Sequence, residues 1–323
     1  YGLARCRRCL HPRRGVGLHD GAMAITTAER RADQHGRGRA RELGGVSVAA
    51  LVVLAVGYLL LVRTAVGQTL DDQALVGRLA ADPAATRGVG DLLRTISRST
   101  VVLMALVLVL VGLARRRVPL AVTAAATFIG AVVSAEVLKA VLPRPDLVPE
   151  FDTLLATKLI ETYPSGHATI ATAFVLALVM VSSSRWRPWV GLLGLGWCTL
   201  VAAGTVAAGW HRPSDAVGGI ALATCWLAGA AAALCRRQGQ QVPEASSARL
   251  LPWGAAVAGM VVVTGLAVAL VGGRAERLPA DVPAWVFPTG QLLVDVAAIA
   301  AVGSVTWLLR DVRFGAPSLT GRG

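Results

Sequence analysis

Charged and aromatic residues are both scarce in this chain. Charged residues make up 16% of its 323 positions and aromatic residues 5%, against a hydrophobic content of 54%. A soluble domain carries about a quarter of its residues as charges. This shortage, with a mean hydropathy of +0.60, excludes an ordinary soluble domain and implies an integral membrane protein. Acidic residues are the scarcer sign, 19 Asp and Glu against 32 Lys and Arg. In a soluble protein that excess would suggest nucleic acid; in a membrane protein it marks cytoplasmic loops, and no nucleic-acid partner is expected. The five cysteines supply no disulfide framework, because Cys198, Cys225 and Cys235 fall in or beside apolar runs while Cys6 and Cys9 lie in a basic tail. Cys6-x-x-Cys9-x-His11 lacks a fourth ligand at zinc spacing. Histidine is rarest where the chain is most apolar: after His35 only His167 and His211 remain.

The first 43 residues are rich in Arg and have almost no apolar periodicity, which predicts a flexible basic segment. The chain begins at Tyr1, so Met23 is a candidate start. The first apolar run is long and has no cleavage pattern of small residues, so a retained span is expected rather than a signal peptide. Apolar runs near spanning length occur at 44–63, 99–114, 118–142, 166–184, 188–210, 214–235, 252–272 and 288–309, which predicts eight helices. Leu92, Leu93 and Ile96 are expected to extend the short second run backwards. With a cytoplasmic N-terminus, the basic tail, Arg115 to Arg117, Arg185 with Arg187, Arg236 with Arg237, and Arg310 with Arg313 all fall inside. The opposite face then receives the loop with Asp71, Asp72, Asp82 and Asp91, the 143–165 loop and the 209–214 turn.

Two polar stretches interrupt the apolar pattern on that outer face. Tyr163-Pro164-Ser165-Gly166-His167 delivers a hydroxyl, free backbone N–H groups and an imidazole to a helix start, which suits a phosphate. On its own it would read better as a loop closed by a Ser N-cap. The second stretch, Trp210 to Asp215, places His211 and Asp215 four residues apart, so on a helical turn the carboxylate can orient the ring. Lys139 and Arg144-Pro145-Asp146 stand at the same side. Two cations, two imidazoles, a carboxylate and a helix N-terminus make a site for phosphoryl transfer. Taken singly, Lys139 reads equally well as a snorkelling span end, and either His as an ordinary boundary residue; it is together that they point to chemistry.

Lys139 with Arg144-Pro145, then Pro164-Ser165-Gly166-His167, then His211-x-x-x-Asp215 resembles the three-part signature of the type 2 phosphatidic acid phosphatases, which share their site with vanadium haloperoxidases. The resemblance covers about residues 100–235. It implies an all-α polytopic transmembrane bundle with a six-helix core at 44–235, flanked by a basic disordered tail at 1–43. A cytoplasmic linker at 236–251, two extra helices within 252–309 and a cytoplasmic tail at 310–323 would follow. It further implies that His211 is the nucleophile and becomes a phosphohistidine, that Asp215 holds it, and that His167 protonates the leaving oxygen. Lys139, Arg144, Ser165 and the Gly166 amide would bind the phosphoryl oxygens, with no metal or other cofactor.

Two departures from the family pattern bear on the site. The first motif normally separates Lys from Arg-Pro by six residues; here the gap is four, and Asp146 holds the usual arginine position. Either Arg144 serves from a shifted backbone or the motif is degraded. The third motif normally begins Ser-Arg six residues before the His, where this chain has Gly204-Thr205. Thr205 can bond a phosphate oxygen without charge, and Arg212 or Lys158 are the candidates to compensate. The expected activity is hydrolysis of a lipid phosphate or diphosphate at the outer face of the plasma membrane, with membrane lipids as further partners. Its rivals are a non-catalytic lipid-phosphate-binding or scrambling protein, and a secondary transporter, for which inverted repeats are not evident.

Overall fold

The computed structural model describes residues 18–78, 83–148, 162–241 and 282–314. Nine helices lie among the described residues: α1 (Leu18–Gly57), α2 (Ala65–Gly77), α3 (Pro83–Arg94), α4 (Arg98–Ala114), α5 (Val118–Val141), α6 (Gly166–Val181), α7 (Arg187–Ala207), α8 (Pro213–Gln238) and α9 (Val286–Leu309). A short antiparallel ribbon, β1 (Gly239–Gln241) with β2 (Val312–Phe314), ties the end of α8 to the end of α9. The all-α expectation holds. Five helices are long and apolar enough to cross a membrane, or six if the bent pair α3 and α4 is one span. The expected span at 252–272 lies outside the described residues.

Three features depart from the sequence expectations. Helix α1 begins at Leu18, inside the stretch expected to be flexible. That stretch has no apolar stripe, but its Ala, Arg, Glu and Gln are strong helix formers. The outer loop expected to carry Asp71 and Asp72 is instead α2, capped by Thr64, whose Oγ1 accepts from Gly67 N at 3.0 Å. The backward extension of the second run is a separate helix, α3, set at 62° to α4 across a break at 95–97.

Helix α6 is the centre of the bundle, packed against α4, α5, α7, α8 and α9, and it buries residues from Gly166 to Val181 on nearly every side. At 16 residues it is the shortest of the apolar helices. The two ends of the bundle differ in chemistry. At one end, Arg187 donates to Val179 O at 3.0 Å and to Leu309 O, and Arg39 pairs with Asp311. At the other end lie Lys139, Ser165, His211 and the start of α9, where Gly290 abuts Pro213. Both His-bearing helix boundaries therefore share one end.

Candidate active site

Ser165 is the N-cap of α6, and its Oγ accepts from Ala168 N at 3.4 Å. Its own N–H donates to the carbonyl of Asp215 at 2.8 Å, joining the two polar stretches through the backbone. Thr169 Oγ1 donates to Ser165 O at 2.8 Å, so the loop and the helix hold one another. The close crossing of α6 and α8 requires Gly219, where a Cβ would stand 2.4 Å from Ser165 O. Over the start of α6, a Cβ on Gly166 would meet Lys139 Nζ at 3.0 Å and Glu136 Oε1 at 3.1 Å. Lys139 thus sits on the Ser165–Gly166 turn, with Glu136 2.8 Å from its amine. The Lys139 side chain keeps some exposure, and Glu136 is mostly exposed.

His167 packs edge-on against Trp210, ring centroids 5.4 Å apart at 61°. Its ring hydrogen-bonds the backbone of Leu93, and it lies within electrostatic reach of His211 and Lys139. His211 itself is placed by the end of α7: the N–H groups of Trp210 and His211 donate to Thr205 O at 2.9 and 3.2 Å. The turn between them needs Gly209, whose φ is +76°. His211 Nδ1 stands 3.5 Å from Asp215 Oδ2, within ion-pair distance, and makes no hydrogen bond. Asp215 is fully buried; its Oδ2 accepts from Arg212 N at 3.0 Å, and its Oδ1 from Arg144 Nη2 at 3.3 Å.

Arg144 is buried while Asp146 is exposed, so the chain delivers the arginine at 144 to the site in spite of the shortened first motif. Its Nη2 donates to Asp71 Oδ2 at 2.9 Å as well as to Asp215. Its Nε and Nη1 are buried with no hydrogen-bond partner. Buried donors left unbonded cost roughly 1–3 kcal/mol each, and an anion in front of them would remove that cost. Burial opposes the Arg144 charge, yet Asp215 and Asp71 outweigh it and hold its pKa above the usual value.

Asp71 and Asp72 are functional neighbours that the sequence pattern assigns only to an acidic loop. Asp71 accepts from Ser214 N at 3.1 Å and from Ser214 Oγ, and Asp72 pairs with Arg212 Nε. Burial raises both carboxyls above the usual range, against the pull of Arg144 on Asp71 and of Arg212 on Asp72. The signal available is an adjacent acid pair in a chain of which charged residues make up 16%. Thr205 and Arg212, expected to contribute to the phosphate cradle, are both engaged elsewhere. Thr205 Oγ1 donates to Ala202 O at 2.7 Å within its own helix, and Arg212 is paired with Asp72. Lys158 lies outside the described residues.

Among the described residues no group of three or more His, Cys, Asp or Glu could hold a metal ion. Lys139 at the α6 N-terminus and the unmet Arg144 N–H groups can each donate to an anion, and His167 and His211 lie within electrostatic reach of one another.

Residues 118–239 match the family model described as PAP2 superfamily, and no curated protein or solved structure matches the chain. The matched segment runs from α5 to β1 and contains Lys139, Arg144, Ser165, Gly166, His167, His211 and Asp215, while Asp71 and Asp72 precede it. With its apolar helices, the chain is a membrane protein that carries, at residues 118–239, a domain of the PAP2 superfamily, a superfamily of phosphatase type.

Proposed function

We propose that the chain is a membrane phosphatase that hydrolyses a lipid phosphate or diphosphate at the outer face of the plasma membrane. The observation that carries this reading is Asp215. One buried carboxylate faces His211 through Oδ2, takes Arg144 through Oδ1, and has its backbone carbonyl bonded to the Ser165 N–H. The residues of all three polar stretches thereby converge on one point.

In the proposed cycle, phosphoryl oxygens lie against Arg144 Nε and Nη1, Lys139 Nζ and the amides that open α6. His211 Nε2 attacks phosphorus while Asp215 holds Nδ1–H, so the ring can carry positive charge as the N–P bond forms. The bond from phosphorus to the lipid oxygen breaks, and His167 gives that oxygen its proton. Water then attacks the phosphohistidine, returns a proton to His167, and releases phosphate with His211 restored. The 3.5 Å separation between Nδ1 and Oδ2 is expected to shorten when the ring becomes cationic, since charge-assisted bonds are shorter and about twice as strong.

A lipid substrate is supported by an apolar groove of about 330 Å³ between α1, α8 and α9, lined by Val46, Ala50, Val53, Val217 and Ile220 among others. Of its lining residues, Val217 stands two residues beyond Asp215 in the sequence of α8. The arginine-rich bundle end is assigned to the cytoplasm and the site to the opposite side.

Phosphate release from a panel of lipid mono- and diphosphates, with chelator present and beside His211→Ala, tests the proposal. Turnover of at least one lipid, abolished in the variant and unaffected by chelation, is the expected result. A second reading, a non-catalytic lipid-phosphate binder, is favoured by the inward-turned Thr205 hydroxyl. Lipid binding that survives His211→Ala, with no turnover in either protein, would select it.

A further inference from the structure

The site as described has one cation fewer than the family pattern implies, because position 205 carries Thr205, whose hydroxyl is bonded into its own helix. We infer that Arg78, at the end of α2, supplies that missing charge from a different element and binds the phosphoryl group beside His211. The inference rests on reading the site as a phosphate site.

Helix α2 lies along the site with one face. Asp71 grips Ser214 and Arg144, Asp72 grips Arg212, and Arg78 follows Asp71 by seven residues, hence on the same face about two turns further on. There its guanidinium lies against Gly209. A Cβ at 209 would stand 2.4 Å from Arg78 Nε, 2.5 Å from Cζ and 2.9 Å from Nη2. Glycine at 209 therefore both permits the positive φ of the turn and leaves room for the guanidinium two residues before His211.

The partners of Arg78 are as informative as its position. Arg39, Arg94, Arg144 and Arg212 each pair with a carboxylate. Among the described residues none pairs with Arg78, and its Nε is buried without a hydrogen-bond acceptor. Burial alone acts on it and lowers its pKa, with no carboxylate opposing. An arginine that merely extends to solvent would turn its Nε, as well as its tip, to water. A half-buried guanidinium with an unmet N–H beside a phosphate site is matched by an oxyanion, to which it can donate two parallel bonds.

The test uses the full-length protein in detergent, as wild type, Arg78→Gln, Arg78→Lys and, as a neighbouring-charge control, Arg94→Gln. Inorganic phosphate affinity by calorimetry and the KM and kcat for a lipid phosphate are read together with the unfolding midpoint. Arg78→Gln is expected to weaken phosphate binding by about 10- to 100-fold, the range for a lost charged hydrogen bond, with Arg78→Lys intermediate and Arg94→Gln near wild type. Should Arg78→Gln not fold, Arg78→Lys carries the same comparison. Unchanged phosphate affinity and KM in a protein that hydrolyses lipid phosphate overturn the role of Arg78 and leave the phosphatase reading standing. Phosphate binding that depends on Arg78, without hydrolysis of any lipid phosphate, does the reverse. A wild type that neither binds phosphate nor hydrolyses a lipid phosphate overturns both.

Discussion

The pair of Asp71 and Arg144 is the most consequential contact between α2 and the matched domain, and its removal has a calculable effect. Both side chains are almost completely buried, and Nη2 to Oδ2 is 2.9 Å. Asp71→Ala would leave Arg144 hydrogen-bonded to one carboxylate among the described residues, Asp215, and would strip Ser214 N of its 3.1 Å acceptor. Breaking a buried ion pair from one side costs about 3–5 kcal/mol. At about 2–4 °C per kcal/mol for a chain of this order of size, the unfolding midpoint in detergent should fall by about 6–20 °C. Arg144→Ala should cost a comparable amount, because it strands Asp71 in turn. The two losses cannot both be counted, so the double variant should fall short of their sum by about 2 kcal/mol. Asp71→Leu with Arg144→Met should recover much of the midpoint, since apolar replacement of both partners removes the buried charges together. Lipid-phosphate turnover should not return with it. Additivity of the two single variants within about 0.5 kcal/mol, or an Asp71→Ala midpoint equal to wild type, would refute the claim that this pair holds α2 on the site.

Three further outcomes follow from contacts elsewhere. Thr205→Val should keep phosphate release within about twofold of wild type, because the hydroxyl is engaged with Ala202 O and its loss touches one intrahelical bond worth about 1 kcal/mol; a tenfold rise in KM would show that Thr205 binds substrate after all. Gly219→Ala would set a methyl 2.4 Å from Ser165 O, and overpacking of this kind costs about 1–3 kcal/mol. Turnover should fall along with the midpoint, since Ser165 must move. Arg187→Met removes the donor to Val179 O, Met180 O and Leu309 O at the bundle end away from His211. It should lower the midpoint by about 3 kcal/mol equivalent and leave KM unchanged in the fraction that remains folded; a shifted KM would mean that the two ends are coupled.

How far the sequence could be read depended on whether each element announces itself through apolar periodicity. Seven of the eight expected apolar runs appear as α1 and α4 to α9, because a span must be apolar along its whole length and little else satisfies that rule. His167, His211 and Asp215 were legible for a related reason: a polar residue at the edge of an apolar run stands out, and the i, i+4 spacing needs no knowledge of the fold. Arg144 was readable as present but ambiguous in role, since only the backbone decides whether 144 or 146 turns inward, and it turns 144.

Helix α2 escaped notice because it satisfies none of those rules. Its buried face carries Gln68, Asp71 and Asp72 beside Ala74, Leu75 and Val76, so it has neither the continuous apolarity of a span nor the polar outer stripe of a surface helix. A face of that kind is stable only against complementary charge, and the partners, Arg144, Arg212 and Ser214, lie about 70 to 140 residues away in the chain. No local pattern encodes a pairing at that separation. What the sequence does encode is the other half of the problem. Arg144 and Arg212 both bring a charge into the buried part of the site, and the Asp215 side chain pairs only with the first of them while it also faces His211. A further buried acid is therefore needed for Arg212, and the adjacent pair at 71 and 72 supplies it, with Asp71 adding a second carboxylate to Arg144. The acids that answer Arg144 and Arg212 lead to α2, and α2 leads to Arg78, without any recourse to periodicity.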